Sequence, residues 1–234
     1  MTLLNPKIDP NYPRDYLKGE IEFLSLKITL KEGVFIPREE SEEFVREILK
    51  NPSKFWKFKQ KSSLLIDLCT GSGVWGLSLS NSFSKTILVD YFRVPLEVAR
   101  KNLTLNQQKN TSLQKSDLFK AEKLQYLIKN NKNWVLVCNP PYVPLKDRSQ
   151  VILNKINYEP KEAIFSGLDG LYLFKKTLKQ IKLYNLGLPK VCIFELDPRN
   201  ISKAKNILQK DYQNVVIIPD IYSRPRFLIG YLTN

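Results

Sequence analysis

A chain of 234 residues with 43% hydrophobic and 11% aromatic content can bury a substantial core, which excludes a disordered or low-complexity protein. Its formal charge of +14, from 37 Lys and Arg against 23 Asp and Glu, would favour an acidic protein, RNA or the ribosome as partner; the lysines are scattered among Asn and Ile, as biased composition also produces. Histidine is absent, which removes His triads, His general bases and His-ligated metal sites, and Cys69, Cys138 and Cys192 lack CxxC spacing, so they read as reduced thiols of a cytoplasmic protein with no metal.

In chain order, residues 1–15 are polar and punctuated by Pro6, Pro10 and Pro13, which predicts an extended arm or a short irregular start. No signal peptide is expected there, and no apolar run approaches the length of a membrane span. Residues 21–36 mix apolar and polar positions and predict a β-hairpin turning near Lys31-Glu32-Gly33 and ended by Pro37. From Arg38 to about Lys50, Phe44, Val45, Ile48 and Leu49 fall at helical spacing behind Glu39, Glu40, Glu42 and Glu43, whose charges suit a helix N-terminus.

A βα alternation begins at Leu64. Strands are expected at 64–68, 86–90, 134–138 and 191–196, with helices marked by Leu77 and Leu79, by Leu96, Ala99 and Leu103, by Leu124, Leu127 and Ile128, by Phe174, Leu178 and Ile181, and by Ile201, Ala204 and Leu208. Between Leu103 and Leu124 lies a short polar segment ending on Asp117. Val215 to Ile218 and Phe227 to Tyr231 are separated by a turn too short for a crossover helix, so they must pair antiparallel. The pattern predicts an α/β fold, a doubly wound and mostly parallel sheet whose ligands sit at the carboxyl ends of its strands, where Asp67, Asp90, Asp117 and Asn139 all stand. Four polar residues converging on the edge of an apolar sheet call for a polar ligand.

Two stretches carry chemistry. Gly71-Ser72-Gly73-Val74-Trp75-Gly76 matches the dinucleotide fingerprint GxGxxG, with Asp90 at the distance of a ribose-binding acid; such a loop serves NAD, flavin or S-adenosylmethionine alike. Asn139-Pro140-Pro141-Tyr142 closes the apolar run 134–138 with an amide, two prolines and a ring. The prolines remove N–H donors and stiffen the backbone, leaving the Asn139 amide and the Asn139 and Pro140 carbonyls as acceptors for an incoming NH₂ group that Tyr142 clamps. An acceptor cluster suits a nitrogen nucleophile rather than a hydride acceptor, and the antiparallel C-terminal pair is foreign to a dehydrogenase. Both points favour S-adenosylmethionine.

Here the sequence resembles the HemK/PrmC family of protein-(glutamine-N5) methyltransferases, which modify class I peptide-chain release factors. The resemblance runs from about Tyr16 to the C-terminus through Gly33-Val34-Phe35-Ile36-Pro37-Arg38-Glu39-Glu40-Ser41-Glu42, Asp67-Leu68-Cys69-Thr70-Gly71-Ser72-Gly73, Asp90, Ser116-Asp117-Leu118-Phe119, Asn139-Pro140-Pro141-Tyr142-Val143-Pro144, Tyr158-Glu159-Pro160 and Gly167-Leu168-Asp169-Gly170-Leu171. It implies a Rossmann-like class I methyltransferase with a seven-stranded sheet: an arm and hairpin over residues 1–36, and an S-adenosylmethionine-dependent methyltransferase domain over residues 37–234. It further implies that Asp67 and the loop Cys69, Thr70, Gly71, Ser72 and Gly73 lie against the cofactor's methionine part, that Asp90 binds the ribose, and that Asp117 and Leu118 flank the adenine. Asn139, Pro140, Pro141 and Tyr142 would bind the target glutamine, with Asn139, Pro140 and Tyr142 catalytic and Asn139 also beside the cofactor. The implied partner is a class I release factor; an N6-adenine or other nucleic-acid amino-group methyltransferase, or a ribosomal-protein glutamine methyltransferase, is the alternative. Family members carry a helical N-terminal domain of several dozen residues, whereas about fifteen residues precede the match here. Cys69 stands where the family often has glycine, a replacement that a negative φ would accommodate, and Leu118 stands where an aromatic ring is common.

Overall fold

The computed structural model describes residue 9 and residues 12–56, 58–131, 133–147 and 158–232. Most of the expected N-terminal arm lies outside them; the part inside includes a five-residue helix, α1 (Arg14–Lys18), rather than a purely irregular start. The hairpin is present, but its turn is not where the glycine suggested. Strands β1 (Glu20–Phe23) and β2 (Leu26–Thr29) pair antiparallel across Leu24 and Ser25, and Leu24 takes the left-handed conformation with φ 56°. Tertiary contact overrides turn propensity here: the Leu24 backbone N–H donates to the Glu42 carboxylate at 2.9 Å, which holds the tight turn against the next helix. Gly33, with φ 86°, shapes a separate turn that brings Val34 into the core.

The acidic segment forms α2 (Glu39–Lys50), followed by the short α3 (Pro52–Phe55). The apolar runs become β3 (Leu64–Leu68), β4 (Lys85–Asp90), β6 (Trp134–Cys138) and β7 (Val191–Glu195), joined by α4 (Val74–Leu79), α5 (Arg93–Leu105), α6 (Glu122–Lys129), α7 (Tyr172–Leu183) and α8 (Ile201–Leu208), and the chain closes with β8 (Asn214–Pro219) and β9 (Pro225–Tyr231). The polar segment before Asp117 contains a further strand, β5 (Thr111–Lys115), on the sheet edge. It is only half buried, so its side chains carry no continuous apolar run for a sequence pattern to register.

Seven strands run in the order β5-β4-β3-β6-β7-β9-β8, parallel except that β9 lies antiparallel between β7 and β8. The mostly parallel sheet with a C-terminal antiparallel hairpin is thus as expected. Strands β3, β6 and β7, and β4 beyond Lys85, are buried because helices cover both faces. On one face Trp134, Phe119, Phe174 and Phe194 pack under α6 and α7; on the other Phe44 stacks on Phe227 with centroids 3.7 Å apart, beside Trp75 and Phe55. Tyr16, Phe23, Ile28 and Leu30 join this second core, so the N-terminal hairpin is seated on the sheet's helical layer. Asn102, wholly buried on α5, fixes that seat: its Oδ1 accepts from Thr29 N at 2.7 Å, and its Nδ2 donates to the Thr29 and Ser72 carbonyls. Strand order reverses between β3 and β6, and ligand crevices form at such a switch point.

Candidate active site

A cleft of about 1010 Å³ opens at the carboxyl ends of β3, β4 and β6. It gathers the residues that the sequence marked separately: Asp67 and the 69–72 segment, Asp90, Asp117, Leu118 and the Asn139–Tyr142 segment all line it. Gly73 ends the loop as the residue before α4, with φ 91° that glycine adopts freely.

The glycine-rich loop is held from beneath. Asp67 is buried at the end of β3, and its Oδ2 accepts from Thr70 Oγ1 at 2.6 Å and from Gly76 N at 2.9 Å. Burial pushes its carboxyl up to about 7, against the pull of those two donors. The third glycine of the fingerprint serves packing: a β-carbon on Gly76 would lie 2.2 Å from Leu88 and 2.9 Å from Asp67. Gly71 differs, since a β-carbon there would meet nothing within 4 Å, so the loop backbone is bare to the cleft. Cys69 does not meet the condition of a negative φ; its value is 56°, a conformation that costs a side-chain-bearing residue about 1–2 kcal/mol relative to glycine.

Asp90 ends β4 with both oxygens tied to backbone, Oδ2 to Gly71 N and Oδ1 to Phe92 N, each at 3.0 Å. Burial raises its pKa, and the backbone N–H groups oppose the rise. A carboxylate so fixed at a strand end retains acceptor capacity for vicinal hydroxyls, and the bare backbone at Gly71 admits a ligand close beside it; the donor set fits an adenosyl group. At the far end Asp117 accepts from Lys176 Nζ at 2.7 and 2.8 Å, and Leu118 is buried with φ 54°.

Asn139, Pro140, Pro141 and Tyr142 follow β6 directly. No described residue hydrogen-bonds the Asn139 side chain or donates to the Pro140 carbonyl, so both remain available to a ligand. The segment is braced on its far side. Val143 N donates to the Ile164 carbonyl and Ser166 N to the Val143 carbonyl, each at 2.9 Å, forming a parallel bridge to residues 164–166. The Gly167-Leu168-Asp169-Gly170 motif ends this brace: a β-carbon on Gly170 would come within 2.1 Å of the Tyr142 carbonyl oxygen, which only glycine avoids. The other two motifs meet as well. Glu159 forms an ion pair with Arg38, and its Oε1 accepts from Ile36 N at 2.8 Å, which pins the Pro37-Arg38 corner to the Tyr158-Glu159-Pro160 segment.

Several residues escaped the pattern reading. Glu195, fully buried at the end of β7, accepts from Tyr142 Oη at 3.2 Å and from Ser41 Oγ, while Arg226 lies over the Tyr142 ring with its guanidinium carbon 5.6 Å from the centroid. A charged residue inside the run Val191 to Leu196 was the available signal. Gln180, which accepts from Phe119 N at 2.8 Å, and Lys176 sit on α7 and carry no motif. Burial pushes the Cys192 thiol up to about 12 and the Cys138 thiol well above its ordinary value, so neither is poised as a thiolate nucleophile. Among the described residues no cluster of Cys, Asp and Glu could hold a metal ion. The arrangement is built to hold and orient.

Comparison with known proteins agrees with this geometry. Residues 44–170 match the Methyltransferase small domain family. A release factor glutamine methyltransferase of Mycoplasma mycoides is 36% identical over 177 residues, covering 73% of this chain and 58% of that protein. One from Borreliella burgdorferi is 32% identical over 227 residues, covering 95% of this chain and 74% of that protein. Among solved structures, the hMettl16 catalytic domain in complex with the MAT2A 3'UTR hairpin superposes with a TM-score of 0.67 at 13% identity, over 94% of this chain and 88% of that one, a likeness of fold. The fold, the ordered motifs and these relatives together place the chain in the release factor glutamine methyltransferase family, within the Methyltransferase small domain class.

Proposed function

We propose that this chain transfers a methyl group from S-adenosyl-L-methionine to the side-chain amide nitrogen of a protein glutamine, that of the Gly-Gly-Gln motif in a class I peptide-chain release factor. The observation that carries the reading is the pair of unengaged acceptors, Asn139 Oδ1 and the Pro140 carbonyl, on a rigid segment beside a bare glycine loop. The names of the relatives supply the substrate class.

When bound, the cofactor supplies an electrophilic methyl group on a sulfonium with an excellent leaving group. The residues that would hold it are Asp67 and the Cys69–Gly73 loop, Asp90 at the ribose, and Asp117 with Leu118 at the base. The protein's own task is alignment and desolvation. Asn139 Oδ1 and the Pro140 carbonyl accept the two amide hydrogens, which draws the nitrogen lone pair out of conjugation and aims it into the cleft. Tyr142 packs on the amide plane, and Pro140 and Pro141, both buried, keep water from the acceptors. A strong general base is not required, since the proton leaves after the new N–C bond has formed. As modification of a translation factor, the reaction belongs in the cytoplasm.

The +14 charge motivates a second reading, methylation of an amino group in nucleic acid. Incubation with methyl-labelled cofactor and either release factor or RNA separates the two. The proposal expects label in the release factor; label in RNA alone would overturn it.

A further inference from the structure

We infer that Glu195 is a positioning residue for methyl transfer, acting through Tyr142, and that the Ser41 motif exists to hold it. The inference rests on the proposed role of Tyr142 as the clamp for the substrate amide, and goes beyond it to the group that fixes the clamp.

Glu195 closes β7, the strand next to β6, with its side chain inside the protein. A buried carboxyl is costly unless its oxygens are engaged, and here each has one partner from a different part of the chain. Oε1 takes the Tyr142 hydroxyl at 3.2 Å, and Oε2 takes the Ser41 hydroxyl. Ser41 lies in the first turn of α2, in the Pro37-Arg38-Glu39-Glu40-Ser41-Glu42 stretch that sequence comparison marked and that the cofactor loop does not use. Arg226 lies over the face of the ring, itself held by the Leu196 carbonyl at 3.2 Å and by Asp220. Glu195 at the hydroxyl, Arg226 at the face and Gly170 against the backbone carbonyl thus fix Tyr142 at three places, two on the ring and one on the backbone.

Each oxygen is engaged, one by Tyr142 and one by Ser41; both of those residues line the cleft, whereas Glu195 does not. A stability role alone would be served better by an apolar residue of similar volume, since β7 otherwise reads Val191, Cys192, Ile193 and Phe194. The position of the carboxyl, one hydrogen bond behind the aromatic clamp, is what a requirement for a fixed ring orientation predicts.

The test compares wild type, Glu195→Gln, Tyr142→Phe, the double variant and Ser41→Ala. Steady-state kinetics uses release factor as methyl acceptor, and calorimetry measures S-adenosylhomocysteine affinity. Tyr142→Phe, which removes the hydrogen bond, and Glu195→Gln, which leaves only a neutral amide acceptor and exchanges the other oxygen for an NH₂ donor, should each lower kcat by about tenfold or more, with acceptor KM and S-adenosylhomocysteine affinity nearly unchanged. The double variant should be no worse than Tyr142→Phe, because the two side chains act as one unit. Ser41→Ala, which leaves the carboxyl in place, should lower kcat by a smaller factor and covers the case in which Glu195→Gln does not fold. Full activity of Glu195→Gln, or losses that multiply in the double variant, would overturn the inference. A readout independent of the acceptor uses ¹³Cζ-tyrosine labelling: the Tyr142 signal, assigned by its absence in Tyr142→Phe, should move in Glu195→Gln, and an unmoved signal counts against the inference. Should release factor accept no methyl from the wild type, the proposed function fails, and the tyrosine signal still decides the case for Glu195.

Discussion

At the scale of single residues, the site depends on carboxylates held where water cannot reach them. Asp67 is the sharpest example, an acid spent on the Thr70 hydroxyl and the Gly76 amide. Its carboxyl has an ordinary pKa of 3.8 and is pushed up to about 7 by burial, so the folded chain keeps a proton that the unfolded chain gives up. Its contribution to stability is therefore fully present below about pH 4 and lost as pH rises to about 7, with a slope of at most about 1.4 kcal/mol per pH unit. Urea unfolding at several pH values should show Asp67→Asn gaining on the wild type across that window. A gap between the two that stays constant with pH would show that the carboxyl is already ionised in the fold.

At the scale of elements, the loops between strands are positioned by other loops. The Asn139–Tyr142 turn keeps its form because residues 164–170 run beside it and Gly170 presses on the Tyr142 carbonyl. Gly170→Ala adds a β-carbon 2.1 Å from that oxygen at φ 73°, and a backbone contact of this kind cannot yield without moving the turn. Methyl transfer should fall by at least about tenfold, and the melting temperature should drop with a destabilisation of about 1–3 kcal/mol. Unchanged turnover and melting would mean that the two segments are not in register. Such elements explain how much the sequence disclosed. Buried strands β3, β4, β6 and β7 were legible because both faces are covered and each carries a run of three or more consecutive apolar residues. Asp67, Asp90 and Asn139 were legible as polar residues at or just beyond the end of an apolar run, whereas Asp117 follows the polar strand β5 and Ser116. Edge strand β5 was marked only by Asp117 beyond its end, since none of its five side chains is fully buried, and the hairpin turn was misplaced because Leu24 adopts φ 56° with its N–H donated to Glu42 rather than by its own preference. Glu195 and Gln180 could not be assigned because their partners, Ser41 and Tyr142 for one and Phe119 for the other, are 154, 53 and 61 residues away.

At the scale of the molecule, one crevice unites distant motifs because the sheet reverses its strand order between β3 and β6. Described segments N-terminal to β3 brace that crevice and line part of it: the hairpin on Asn102, the Arg38 corner on Glu159, and Ser41 on Glu195. The paired arginines around the substrate side, Arg38, Arg199, Arg224 and Arg226, are each matched to carboxylates, so the cleft is far less basic than the +14 chain as a whole. A neutral amide fits such a cleft better than a phosphate backbone does. The most direct measurement is peptide mass spectrometry of release factor treated with cofactor and either wild type or Asn139→Ala, beside S-adenosylhomocysteine affinity for both proteins. Wild type should place one methyl on the glutamine of Gly-Gly-Gln, while Asn139→Ala binds within a few-fold and transfers at least about a hundredfold more slowly. A methyl on any other residue, or equal rates for the two proteins, would contradict the account.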